Sequence, residues 1–220
     1  MKSWIEDDNI CYEYIIRYIR DTIPESEGQI REMERYAAEH EVPISQPESI
    51  RLIEVLLKLC GARRILEVGS AIGYSSIRMS RACGAKVVTV ELSDEMADIA
   101  EKNISLAGLS DRIQLVRGDA KEVLARTEGE GCFDVIFIDA AKGQYMEFFP
   151  HCMRLLKKGG LLISDNVLYK GMTATDELVV RRKITIVRRL RAYLEMLKKN
   201  RELSTAIIPI GDGVAVSFKE

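Results

Sequence analysis

The sequence predicts a single α/β domain built on an open, doubly wound sheet, mostly parallel, with an antiparallel last strand. Three observations predict it. From residue 63 onward, short β-branched runs alternate with helical segments, the pattern of a parallel sheet covered by helices on both faces. Several of these runs are apolar at consecutive positions, as in Val135-Ile136-Phe137-Ile138, which suits strands buried on both sides. The tail then breaks the alternation: 206–210 and 214–218 flank Gly211-Asp212-Gly213, a glycine-rich turn suited to a hairpin. At 220 residues, and with about 150 residues per domain, one domain with an extension fits better than two.

Taken in order, the expected strands are 64–68, 86–91, 112–116, 133–139 and 160–164, with the tail pair making seven. Upstream of residue 62 no strand pattern is found. Residues 5–20, 27–40 and 46–60 read as three helices broken by Pro24, Pro43 and Pro47. The expected organisation is therefore one domain, 1–220. Its 1–62 portion is a helical extension lying as a lid across the carboxyl edge of the sheet, and 63–220 is the core.

Composition removes several classes. Apolar residues at 47% exclude a disordered chain, and 32 basic against 34 acidic side chains leave no global field for a polyanion. Apolar runs are far shorter than the 18 or so residues of a membrane helix, and acids stand near the N-terminus, so a soluble, cytoplasmic protein is expected with no membrane partner. Five cysteines are odd in number and never form C-x-x-C, which argues against a disulfide framework or thiolate zinc site. With two histidines, no His-rich metal site can be built, so a metal would be held by oxygen.

The first predicted strand runs into Glu67-Val68-Gly69-Ser70-Ala71-Ile72-Gly73-Tyr74-Ser75, a small-residue turn that starts a helix. Gly69 and Gly73 are read as removing side chains where a ligand approaches the backbone. A dinucleotide fingerprint needs G-x-G-x-x-G, and Ala71 and Tyr74 occupy its second and third glycine positions, which weakens an NAD or FAD reading. Glu91 ends the second strand, where an acceptor carboxylate can take both hydroxyls of a ribose, and Gly118-Asp119-Ala120 ends the third. Acids at these strand ends suit a ligand with a ribose and a positive charge but no pyrophosphate, such as S-adenosylmethionine. The plainer alternatives are an ordinary βα turn and helix-start acids.

Asp139 ends the fourth strand, and Asp165 and Asn166 follow the fifth, so the three project to one edge of the sheet. Oxygen ligands without His or Cys select a hard cation, Mg²⁺ first, with Mn²⁺ as its substitute. Alternatively, Asp165-Asn166 opens a turn and caps a helix. Beside such a cation Lys142 becomes a candidate base, and otherwise it is a solvated loop lysine.

Together these residues resemble the cation-dependent class I O-methyltransferases that include catechol and caffeoyl-CoA methyltransferases. The similarity runs from about Pro43 to Phe218 and is carried by 65–75, 133–142 and 164–168. It implies a Rossmann-like methyltransferase fold, Asp139, Asp165 and Asn166 as metal ligands, and Lys142 as the residue assisting deprotonation, with Asp139 beside the reacting atoms. It further implies Glu91 as the ribose-binding acid and Asp119 and Ala120 as adenine contacts. Ser75 and the Gly69 loop, with Glu67, Ala71 and Gly73, then belong to the methionine end, Gly118 to the third strand tip, and Ile44 and Ser45 to a segment closing over the cofactor. Within that family, 139–145, 165–171 and 206–213 look most similar to bacterial tRNA 5-hydroxyuridine methyltransferases, which make 5-methoxyuridine at the wobble position. The resemblance also implies a homodimer.

An independent feature bears on the acceptor. Between Arg181 and Arg201 lie nine basic residues, Arg181, Arg182, Lys183, Arg188, Arg189, Arg191, Lys198, Lys199 and Arg201, against the single acid Glu195. On a helix they offer phosphate contacts for the anticodon loop of a tRNA. The competing explanation is a solvated face, or pairing with the acids of residues 25–41. Two other functions are weighed: a small phenolic or catechol acceptor, and a non-methylating nucleotide-binding oxidoreductase or regulatory module.

Overall fold

A computed structural model describes residues 10–220; residues 1–9, with the start of the expected 5–20 helix, lie outside the described residues. Three helices lead the chain, α1 Glu13–Asp21, α2 Gly28–Glu39 and α3 Pro47–Leu59. Strands and helices then alternate: β1 Arg64–Val68, α4 Tyr74–Cys83, β2 Lys86–Glu91, α5 Asp94–Leu106, β3 Ile113–Arg117, α6 Ala120–Arg126, β4 Phe133–Ile138, α7 Tyr145–Leu155 and β5 Leu156–Ser164. The chain closes with α8 Ile184–Lys199, β6 Leu203–Ile208 and β7 Val214–Lys219.

The seven strands form one sheet in the order β3-β2-β1-β4-β5-β7-β6. Strands β1 to β5 pair in parallel, and β7 is antiparallel to both β5 and β6. Strand order reverses between β1 and β4, so their carboxyl ends open the crevice where ligands bind in such sheets.

Alternating side chains divide the core in two. Ile65, Val87, Val135, Phe137 and Ile163 face a layer holding Ile30 and Met33 of α2, Ile50, Ile53 and Leu57 of α3, and Ile77 of α4. Leu66, Val68, Ile136, Ile138 and Leu162 face the other way, against Phe148 and Cys152 of α7 and Leu190, Tyr193 and Leu197 of α8. Local chemistry fixes the ends. Pro47 sits in the first turn of α3, the Ser93 side chain caps α5 through Met96 N, and left-handed Gly73 and Gly84 bracket α4.

The structure differs from expectation at four places. Of the expected 5–20 helix, the described residues 10–12 are not helical and α1 begins at Glu13. Helices α2 and α3 are not laid across the carboxyl edge as a lid; their apolar stripes are part of the core on one sheet face. Strand β6 occupies Leu203–Ile208 rather than 206–210, because Pro209 has no N–H to donate and Ile210 N instead turns back to Ile208 O at 2.9 Å. Strand β5 begins earlier, at Leu156, where it pairs with Phe133 across a register irregularity.

Candidate active site

A cleft of about 630 Å³ opens at the carboxyl edge of the sheet, over the β1/β4 reversal. At one end, β1 passes into a tight loop whose Gly69 and Ser70 N–H groups both donate to Val90 O. Gly69 has φ +99°, and a β-carbon there would strike the Asp139 carbonyl oxygen, so the glycine is required where the tips of β1 and β4 touch. Ala71, at φ +45°, donates its N–H to Glu91 Oε2 at 2.7 Å, and Ser93 N donates to Glu91 Oε1 at 2.9 Å. The Asn103 amide, which sequence reasoning did not single out, steadies the same loop by donating to Ile72 O at 2.9 Å. Gly118, Asp119 and Ala120 line this end, and Asp119 Oδ1 also caps α6 by accepting from Lys121 N at 2.8 Å.

Ile44 and Ser45 form part of the cleft wall, and Ser45 Oγ donates to Asp139 Oδ2 at 3.4 Å. The stretch between α2 and α3 therefore covers the cleft, rather than the helices themselves. Ser75 also lines it.

Two predicted residues do not line the cleft. Gly73 is a backbone requirement: it holds φ +81° at the start of α4, and a β-carbon there would press on Ala100. Glu67 is wholly buried, and its Oε2 accepts hydrogen bonds from Ser76 Oγ and, at 2.6 Å, from Thr89 Oγ1. Its Oε1 has no partner. Burial pushes this carboxyl up to about 7, against the opposing pull of the Ser75, Ser76 and Thr89 hydroxyls.

The other end of the cleft is acidic. Asp139 follows β4, with its N–H on Val68 O at 2.9 Å, and Asp165 follows β5, with its N–H on Ile138 O at 3.0 Å. Adjacent ladder ends thus deliver both carboxylates, and Asn166, with Lys142, to one region of the cleft. Burial raises Asp139, opposed by Lys142 and Ser45. Asp165 is raised by burial and then by facing Asp139, opposed by its bond from Asn166 N and by Lys142. Asn166 holds φ +54°, a left-handed position that turns the chain directly after its carboxylate neighbour.

The buried Asp165 facing the half-buried Asp139, with Asp212 also raising it and Lys142 opposing, is a poor resting arrangement and a candidate cation receptor, since buried charges require a counter-ion. No three His, Cys, Asp or Glu side chains are gathered as a metal cluster among the described residues. An oxygen set here would be the two carboxylates with the Asn166 amide, which lines the same cleft. It fits a hard divalent ion whose remaining positions belong to water or an acceptor.

Sequence reasoning left Tyr169 and Asp212 without a role, although both line the cleft. Asp212 was read only as part of a hairpin turn. In the structure that turn clasps the loop after β5: Asp212 O accepts from Leu168 N at 3.0 Å, and Gly213 O from Val167 N at 2.9 Å.

Fold and cleft define an α/β protein that binds its ligand at a sheet reversal, with an acidic, oxygen-donor end. The family model described as O-methyltransferase matches residues 23–220, and the chain belongs to that family. A catechol O-methyltransferase of Niastella koreensis is 34% identical over 193 residues, covering 85% of this chain and 87% of its own length. A solved Staphylococcus aureus protein, provisionally described as a caffeoyl-CoA O-methyltransferase, is 32% identical with TM-score 0.88, covering 94% of this chain and 100% of its own. A Bacillus cereus O-methyltransferase solved with S-adenosylhomocysteine is 28% identical with TM-score 0.84, covering 98% and 100%. These matches remove the oxidoreductase and regulatory-module alternatives. Among the described residues no helix is long and apolar enough to cross a membrane.

Proposed function

We propose that the protein transfers a methyl group from S-adenosylmethionine to one hydroxyl of an acceptor carrying two adjacent oxygens, with Mg²⁺ or Mn²⁺ bound at Asp139, Asp165 and Asn166. The observation that carries this reading is the meeting of two unlike ends in one cleft, the Glu91-braced loop and the Asp139–Asp165 pair. The first fits a ribose and the second a cation. When bound, the ion would act as a Lewis acid on the acceptor hydroxyl.

The protein's own residues do the rest. Glu91 and the loop at Gly69 hold the donor, Asp139 and Asp165 fix the acceptor's oxygen pair against it, and Lys142 stands at the acidic end to take the hydroxyl proton. The acceptor oxygen then bonds to the methyl carbon as the carbon–sulfur bond breaks. Placement of the two partners supplies much of the acceleration, since effective molarities are worth roughly 7–11 kcal/mol in well-oriented systems.

For the acceptor, we propose 5-hydroxyuridine at the tRNA wobble position, giving 5-methoxyuridine; its hydroxyl and the C4 carbonyl oxygen form the adjacent pair. The amino-terminal part of the basic stretch, which lies nearest the cleft, supports this, whereas Lys198, Lys199 and Arg201 sit where α8 leads into Leu203 at the opposite, amino edge of the sheet. Lys183 Nζ lies 5.7 Å from the ring centre of Tyr169, a cleft residue, and Arg189 Nη1 donates to Gly143 O at 3.1 Å beside Lys142. The ion pairs of this stretch run from Arg191 to Asp176 and from Lys198 and Lys199 to Glu195, rather than to residues 25–41. Arg181, Arg182 and Arg188 are exposed. A small catechol acceptor is the second reading, favoured by the Niastella relative. Offering labelled donor with hydroxylated tRNA, unhydroxylated tRNA and catechols separates them: transfer to hydroxylated tRNA is expected, and transfer to catechols alone overturns the tRNA reading.

A further inference from the structure

Two buried tyrosines sit beneath the acidic end, packed edge to face with ring centres 5.4 Å apart. Both are almost wholly inaccessible, and each has one hydroxyl to satisfy. Tyr193 Oη pairs with Ser164 Oγ at 2.6 Å, one side chain to another. Tyr145 Oη reaches backbone instead. It lies 3.0 Å from Asp165 O and 3.4 Å from Ile138 O.

Those two carbonyls belong to different strands. Ile138 is the last residue of β4, immediately before Asp139, and Asp165 is the residue immediately after β5. One hydroxyl therefore spans the two strand tips from which the facing carboxylates project. The ladder bond from Asp165 N uses the same Ile138 carbonyl at 3.0 Å, so Tyr145 makes its bond where the regular pairing runs out. Tyr145 is also the first residue of α7, which follows Lys142–Gln144, so the same side chain anchors the turn that carries Lys142.

We infer that Tyr145 is a positioning residue, whose hydroxyl sets the spacing of Asp139 and Asp165 and so the affinity of their site for a divalent ion. The inference rests on the cation reading above. It touches no donor or acceptor, so its effect must pass through the two carboxylates. Partners of metal ligands commonly change metal affinity about 10–100-fold when removed.

The test is Mn²⁺ titration by calorimetry on wild type, Tyr145→Phe and Tyr193→Phe, with melting temperature measured on each. Each substitution deletes one buried hydroxyl and keeps the ring, so general softening should act on both. Expected is tenfold or greater weakening of Mn²⁺ binding in Tyr145→Phe, unchanged Mn²⁺ binding in Tyr193→Phe, and S-adenosylmethionine affinity within about twofold of wild type in both. Equal Mn²⁺ affinity in wild type and Tyr145→Phe overturns the positioning role. So does equal weakening in the two variants. Failure of wild type to bind Mn²⁺ at all overturns the cation reading itself, a result distinct from either.

Discussion

The two ends of the cleft hold their acids in opposite ways. Glu91 is met by two backbone N–H groups, from Ala71 and Ser93, and Asp119 by the N–H of Lys121. Asp165 is buried and Asp139 half-buried, the two are set against each other, and the groups that oppose their shifts are Lys142 for both, a long contact from Ser45, and the Asn166 N–H. The donor end is preorganised by its own backbone, so it can accept a ligand without changing its charge. The acidic end instead sets two carboxylates facing each other with less support from its backbone. One fold thus keeps a backbone-braced end and a charge-opposed end side by side.

The widest break between the ends should come from Asp165→Ala. Loss of a carboxylate from the oxygen set is expected to lower turnover by roughly a thousandfold or more, since Lewis-acid stabilisation is worth several kcal/mol. Donor affinity, read by calorimetry, should stay within about twofold. A large loss of donor binding would show that the ends are not independent. A chelator should mimic the variant in wild type, with activity restored by Mg²⁺; full activity under chelation would remove the cation from the reaction.

Glu91→Ala is the reciprocal test. A charged hydrogen-bonding partner contributes about 1.5–3 kcal/mol, so S-adenosylmethionine binding should weaken on the order of 10–100-fold while Mn²⁺ binding holds. Because Ala71 and Ser93 also lose their acceptor, part of the loss will come from a loosened loop. Glu91→Gln keeps one acceptor oxygen, enough for the Ala71 N–H or the Ser93 N–H but not for both, and should recover only a small part of the affinity.

What was legible in the sequence follows the same division. Strand cores from 64 to 164 could be read because burial on both faces writes an unbroken apolar run, and acids at strand tips stand out against it. The lid could not. Helices α2 and α3 carry apolar stripes, and a stripe states that something covers it without stating what. Glu67 shows a related ambiguity: a carboxylate in a ligand loop looks functional, yet it is wholly buried, does not line the cleft, and accepts hydrogen bonds from Ser76 and Thr89. Tyr145 was quoted as part of a motif and given no role, because a hydroxyl that bonds backbone carbonyls from two strands leaves no spacing to recognise.

Glu67 supplies a pH test beneath the donor end. Its folded value of about 7 lies above its ordinary 4.5, so the folded protein binds that proton more tightly than the unfolded chain. The stability it contributes is therefore fully present below about 4.5 and is lost as pH rises through about 7. At 1.36 kcal/mol per unit, the full swing is on the order of 3 kcal/mol. Melting curves from pH 5 to pH 8 should fall for wild type and be flatter for Glu67→Gln. Parallel curves would mean that the buried carboxyl keeps its ordinary value.

The finest distinction lies at the mouth, between two neighbouring arginines of α8. Both are exposed, but Arg189 is tied to Gly143 O beside Lys142. With a polyanionic acceptor, Arg188→Ala should weaken binding a few-fold and lower the salt slope by about one unit, the signature of one lost phosphate contact. Its turnover at saturation should not change. Arg189→Ala should lower turnover as well, because the turn carrying Lys142 loses a tether at the acidic end. Fluorescence anisotropy of a labelled anticodon stem-loop across salt concentrations, with single-turnover rates on the same variants, resolves the pair. An unchanged salt slope for Arg188→Ala returns the basic face to solvent, and the acceptor is then recognised by the cleft alone.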